Sequence, residues 1–211
     1  MRYKQFVSMN IAVIGVAAIV EEYALKYACA GHEVSIALID APAEITRKRL
    51  AAVNRITVCT IEAAAADADM IIIASMPKDI REIAYWLGDV RKKVVIDCSA
   101  NLLSVADDLL NTVMAIKAIT GGEHIIKVFS TRGYEQLLRP LFGHSDVQLM
   151  MAGDSKKAKE LAKILTLDLG VDKFIDLGGD QSLTMFNEMV RSWKSASLCC
   201  TENKAWAEIR R

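Results

Sequence analysis

Charge of one sign is missing from this 211-residue sequence, in which 26 lysines and arginines offset 26 aspartates and glutamates. A chain with no basic surplus has no field with which to hold nucleic acid through its phosphates, and no basic cluster suggests a membrane surface. Long hydrophobic runs are missing too. The longest, Ile11 to Val20, falls far short of the ~18–20 residues a membrane span needs. The opening MRYKQFVSM lacks the apolar core of a signal peptide. The five cysteines (Cys29, Cys59, Cys98, Cys199 and Cys200) are odd in number and never spaced C-x-x-C, which fits reduced thiols in a cytosol better than a disulfide framework. The histidines, His32, His124 and His144, share no spacing and no matching carboxylates, which argues against a metal site. A soluble, cytoplasmic protein is the expectation, binding a small molecule or nucleotide rather than nucleic acid or membrane.

Apolar residues are plentiful: 53% of the chain is hydrophobic, which suits a sheet covered by helices on both faces. The stretch NIAVIGVAAIVEE, Asn10 to Glu22, organises the rest. Ile11 to Gly15 reads as a buried strand ending on a glycine, followed by a helix start. Open α/β sheets hold a dinucleotide with this arrangement, because the free N–H groups and positive end of the helix face the pyrophosphate. The usual glycine fingerprint falls on Gly15, Ala17 and Val20, so only the first glycine is kept. Ala at a position needing φ > 0 would cost about 1–2 kcal/mol, which predicts an altered turn. Glu21 and Glu22 place negative charge near the helix end that should welcome phosphate.

Further strands are expected at Glu33 to Ile39, Ile56 to Cys59, Met70 to Ala74, Val94 to Cys98, Ile125 to Phe129, Gln148 to Ala152 and Phe174 to Leu177. Helical stripes include Ile80, Ile83, Ala84 and Leu87, a segment from about Val105 to Ile119, and Ala158 to Leu169. The result is a doubly wound, mainly parallel α/β sheet over residues 9–180. An N-terminal extension (1–8) precedes it. A C-terminal helical extension (181–211) follows, with Phe186, Met189, Val190 and Trp193 on one stripe, which either folds back or forms a homodimer. Gly31 suits a helix C-cap, with His32 part of the same cap.

Asp40 ends the second strand 20 residues beyond Val20, the spacing of an acid that binds the ribose 2′-hydroxyl; a solvated strand-end carboxylate is the alternative. Thr46-Arg47-Lys48-Arg49 could meet a 2′-phosphate or form a wet helix face. Ser75, Met76 and Pro77 end the fourth strand, where strand order should reverse and open a crevice; a plain β-to-α turn is the other reading. Asp97 is unusual inside an apolar run, and Asn101 and Ser130 follow the fifth and sixth strands on the crevice side.

These stretches, NIAVIG, AGHEV, DMIIIASMP, KVVIDCSAN, EHIIKVFST and MMAGDSKKAKELAKILTLDLG, resemble the NADP oxidoreductase family that includes the coenzyme F-420-dependent NADP reductases and the cytosolic domain of STEAP-type metalloreductases. The resemblance implies one NAD(P)-binding Rossmann domain in which NADP or NAD exchanges hydride with a flavin or deazaflavin co-substrate, the chemistry belonging to the cofactors. By position it puts Gly15, Ala17 and Val20 on the phosphate turn, and Ser75, Met76 and Pro77 below the nicotinamide, and Asn101 keeps the family's residue type. Leu38 and Ile39 stand where relatives carry a Ser or Thr followed by Arg for the 2′-phosphate, which favours NAD, and Ser130 replaces an Asn. Two functions are therefore expected: an NAD(P)-dependent oxidoreductase passing hydride to a flavin-like or small acceptor, or a non-catalytic Rossmann protein that has lost the dinucleotide and serves as a ligand-binding or interaction module.

Overall fold

The computed structural model describes residues 8–40, 44–99, 111–130 and 148–199. Apolar runs become the strands β1 (Asn10–Gly15), β2 (Glu33–Leu38), β3 (Ile56–Val58), β4 (Met70–Ala74), β5 (Val94–Asp97), β6 (His124–Ser130), β7 (Gln148–Ala152) and β8 (Lys173–Asp176). The helices between them are α1 (Ala17–Cys29), α2 (Glu44–Ala51), α3 (Ile61–Ala66), α4 (Ile80–Leu87), α5 (Thr112–Thr120), α6 (Lys156–Asp168) and α7 (Leu183–Cys199). One eight-stranded sheet orders these strands β3-β2-β1-β4-β5-β6-β7-β8. Its neighbours are parallel except β6 with β7, which run antiparallel. Chain order reverses between β1 and β4, so the doubly wound expectation holds.

Both faces are covered, which is why the central strands carry unbroken apolar runs. On one face, Val20, Tyr23, Ala24 and Tyr27 of α1, Leu50 of α2 and Ala158, Ala162 and Leu165 of α6 form a buried layer with Val13, Ile36 and Ile72. On the other, Ala64 of α3, Ile80, Ile83 and Ala84 of α4, Val113 and Ile116 of α5, and Leu183 and Phe186 of α7 pack with Ile14, Ile71 and Ile73. The first half of α7 therefore folds back on the domain, with Met189 and Val190 against the same layer. The side chain of Trp193 and all of Trp206 lie outside the described residues, as does the segment 105–110 of the expected fifth helix.

His32 is a structural pin. The turn after α1 has Gly31 at φ +97°, and there Met9 N–H donates to His32 Nδ1 at 3.2 Å while Nε2 lies 3.2 Å from Asp168 Oδ2. One buried imidazole thus joins the start of β1, the end of α1 and the end of α6. His32→Ala leaves a cavity and an orphaned Met9 N–H, and is expected to destabilise by about 2–3 kcal/mol in urea unfolding. A loss below about 0.5 kcal/mol, the scale of surface substitutions, would remove His32 from that role.

Candidate functional site

The carboxyl ends of β1, β2, β4, β5 and β6 share one edge of the sheet. At its centre Gly15 pairs with Leu38 on one side and Ala74 on the other. Its φ is +150°, and a Cβ there would lie 1.9 Å from the Ala74 carbonyl oxygen. No other residue fits. The next residue, Val16, is extended, and its N–H donates to that same carbonyl at 3.0 Å. From this contact α1 departs onto one face, while Ser75 and Met76 lead into a 3₁₀ turn, Pro77–Asp79, and α4 on the other. Two crossovers leaving adjacent strand ends for opposite faces open a crevice between them, and ligands of open α/β sheets bind at such a point.

The expected altered turn is not observed. Ala17 is the first residue of α1, and no non-glycine among the described residues has positive φ. The second fingerprint glycine is dispensable here because its position carries helical angles. Val20 is fully buried in the layer between α1, α6 and the sheet. Its isopropyl group therefore spaces the helix from the sheet and leaves the crevice untouched.

Glu21 stands differently from expectation, and Asp40 has a main-chain partner that the sequence did not indicate. Glu21 is not a charge at the helix mouth: it is 6% exposed, accepts from the Thr46 hydroxyl at 3.0 Å, and pairs with Arg49 at 2.9 Å. Residue 21 lies one turn into α1, and that rotation points it at α2. Thr46 and Arg49, read as partners for a 2′-phosphate, are thereby tied to α1. Asp40, at the end of β2, is exposed but engaged, its Oδ1 accepting the Ala17 N–H at 2.7 Å. Val16, the N-cap of α1, supplies no side-chain bond, so Asp40 caps the helix from a distance and adds negative charge at its positive end. Asp40→Ala should cost about 1 kcal/mol of stability, the usual worth of an N-cap. A melting curve unchanged by that substitution would contradict the capping role.

Ser75 is buried, its hydroxyl 3.2 Å from the Met76 carbonyl oxygen, to which it donates. Met76 is half-buried, and Pro77 takes the first position of its 3₁₀ turn, where a missing N–H is harmless. Gly15, Ala17, Asp40, Ser75, Met76 and Pro77 thus share the edge of the sheet at the carboxyl ends of β1, β2 and β4. Ser130 closes β6 beside Leu149, but its side chain, like all of Asn101, lies outside the described residues.

A charged cluster at the ends of β5 and β6 was only half legible, through Asp97. Asp97 is fully buried, and β6 places Lys127 directly beside it in register. Lys127 Nζ donates to Asp97 Oδ2 at 2.9 Å and lies 2.6 Å from the Ser99 carbonyl, 2.8 Å from Ser99 Oγ and 2.9 Å from Thr112 Oγ1. The Ser99 N–H donates to Asp97 Oδ1 at 2.8 Å, and the Thr112 hydroxyl donates to Oδ2. Every member has a partner, so the cluster holds the strand ends together. Beside it, burial and then the Asp97 carboxylate push the Cys98 thiol up to about 12, which leaves it a neutral thiol rather than a nucleophile near pH 7.

The strand order defines the class: a Rossmann-type, mostly parallel α/β fold. The family model for NADP oxidoreductase, coenzyme F420-dependent, matches residues 10–101, from β1 past the end of β5. No curated protein matches significantly. Among solved structures, a candidate F420-dependent NADP reductase from Arthrobacter sp. FB24 is similar at 19% identity, covering 91% of this chain and 95% of that one, with a TM-score of 0.71. An imine reductase variant from Myxococcus stipitatus in complex with NAD+ is similar at 12% identity (92% and 63% covered, TM-score 0.62). A reductive aminase from Aspergillus terreus in complex with NADPH4, cyclohexanone and allyl amine is likewise 12% identical (92% and 63%, TM-score 0.66). The chain spans about 63% of the length of the last two. At these identities the likeness establishes the fold. Among the described residues, no helix is long and apolar enough to cross a membrane.

Proposed function

We propose that the protein is an NAD(P)-dependent oxidoreductase that carries hydride between a nicotinamide and a flavin-like, deazaflavin-like or other small acceptor. One observation carries this reading: Gly15, the start of α1 and Asp40 form a connected cradle at the reversal of strand order, with Ala17 N–H on the Asp40 carboxylate at 2.7 Å. The absent Cβ of Gly15 lets β1 and β4 close at the crevice floor, and the start of α1 offers main-chain N–H groups and a positive end to a diphosphate. Ser75, Met76 and Pro77 lie where the nicotinamide end would rest. Hydride transfer requires the two rings to be held face to face with water kept out, so the residues act by placement. The nicotinamide supplies the hydride. The family-model match over residues 10–101 and the NAD+ and NADPH4 complexes of similar folds support the reading. The proposal includes residence in the cytosol and a homodimer through α7, whose Met185 is half-exposed; light scattering of the full chain reads the mass directly.

Calorimetric titration with NADH, NADPH, NAD+ and NADP+ tests the site. A nucleotide at 100 times its Kd stabilises by about 2.7 kcal/mol, or about 5–10 °C for a domain of this size. Absence of heat and of any melting shift at millimolar concentration would contradict the proposal. It would favour the second reading, a non-catalytic module, which draws support from the same Asp40 contact because an internal carboxylate already occupies the first donor of α1.

A further inference from the structure

We infer that the buried Asp97–Lys127 pair is a positioning device for the nicotinamide half of the site: it fixes Ser99, just past the end of β5, on the edge that carries Ser75. The inference rests on the nucleotide-site reading above and assigns the part of the ligand that the pair serves. A buried ion pair is a weak stabiliser in itself, because apolar residues of similar volume often do as well. What apolar residues cannot reproduce is a grip on a third polar group. Here that group is Ser99. Its N–H donates to Asp97 Oδ1 at 2.8 Å, and Lys127 Nζ reaches its carbonyl oxygen at 2.6 Å and its Oγ at 2.8 Å. All three polar groups of a residue beyond the strand thus end on the pair. An ammonium has three N–H donors, and two of the four acceptors within reach of Lys127 belong to Ser99.

The residue so fixed lies on the stretch of edge where the nicotinamide end would rest. Parallel pairing sets Ile73 beside Asp97, and Cys98 N–H donates to the Ile73 carbonyl at 2.9 Å, so the chain still follows β4 one residue past the end of β5. Two residues beyond the Ile73–Asp97 pair, along each chain, stand Ser75 and Ser99. Thr112, the first residue of α5, donates its hydroxyl to the same carboxylate, which ties the helix start to the pair as well. Asp40 and the adenosine end lie at β2, three strands away in the order β2-β1-β4-β5, or about 14 Å at about 4.8 Å per strand. A displacement of Ser99 is therefore felt at the nicotinamide and not at the adenosine.

Calorimetry on the full chain compares the more tightly bound of NADH and NADPH with the same nucleotide lacking nicotinamide, ADP-ribose or its 2′-phosphate. Lys127→Met releases the Ser99 carbonyl and hydroxyl, and is expected to weaken the dinucleotide about tenfold while the ADP-ribose ligand changes by less than about twofold. Adding Asp97→Asn discharges the orphaned carboxylate and recovers stability, yet the loss of dinucleotide affinity is expected to persist because Ser99 stays released. A merely structural role would return affinity together with stability. Ser99→Ala keeps the pair, removes one contact of Lys127, and should weaken the dinucleotide alone by about threefold; it carries the test if neither Lys127 variant folds. Equal weakening of both ligands, no weakening in any variant that folds, or affinity recovered with stability in the double variant overturns the inference and leaves the site standing. No binding of any of these nucleotides to the unaltered protein overturns the site itself, and the inference with it.

Discussion

Lys127→Met is expected to lower the stability of the protein by about 3–5 kcal/mol, the cost of breaking a buried ion pair by removing one partner. Lys127 is 6% exposed and Asp97 fully buried, so the deletion leaves a carboxylate with its Ser99 N–H and Thr112 hydroxyl donors but no counter-charge. Ser99 also loses the ammonium donor to its carbonyl. Methionine matches the stem of the lysine in volume, so the expected loss measures charge rather than a cavity. Thermal melting should fall by about 6–20 °C at about 2–4 °C per kcal/mol. Adding Asp97→Asn to Lys127→Met discharges the orphan, and the double-mutant cycle should return a coupling of about 2–3 kcal/mol. A shift of only a degree or two for Lys127→Met would show that the cluster does not hold the strand ends together.

Gly15→Ala should be more damaging still. The added methyl would sit 1.9 Å from a main-chain oxygen of the adjacent strand, which no side-chain rotation relieves. Either β1 or β4 must move, and with them the start of α1 and the crevice floor. We expect a loss above about 4 kcal/mol, which is exceptional for a single substitution and diagnostic of a forced backbone shift, together with loss of nucleotide binding in any protein that still folds. Gly88→Ala is the control. That glycine also has positive φ, +63°, with ψ −140°, but nothing lies within 4 Å of its missing Cβ, so it should show only the backbone-strain penalty of about 1–3 kcal/mol. Equal losses at the two positions would mean that angle rather than collision governs Gly15.

What could be read along the chain was local. Strands buried on both faces are written as short apolar runs, and β1 and β4 could be placed side by side because ligand-binding sheets of this kind reverse order there. Pro77 and Gly31 marked element ends through their own backbone preferences. The cradle resisted reading because its contacts span the sequence. Asp40 could be assigned a ribose from its spacing, but its bond to Ala17, 23 residues earlier, follows only from the approach of β2 to the start of α1. Glu21 was read as a charge at the helix mouth, whereas one helical turn is enough to aim it at α2. Lys127 carried no local signal at all. A lysine among apolar residues acquires its meaning only when the parallel register sets it beside Asp97, 30 residues earlier.

The central claim is that a dinucleotide lies across the edge where Gly15 meets Ala74. A crystal structure of the full chain grown with saturating NADH tests it most directly. The account predicts diphosphate density over the first residues of α1, with the adenosine ribose hydroxyls on Asp40 and the nicotinamide toward Ser75, Met76 and Pro77. Density for the nucleotide at any other edge of the sheet, or an undisturbed crevice at saturation, would contradict it.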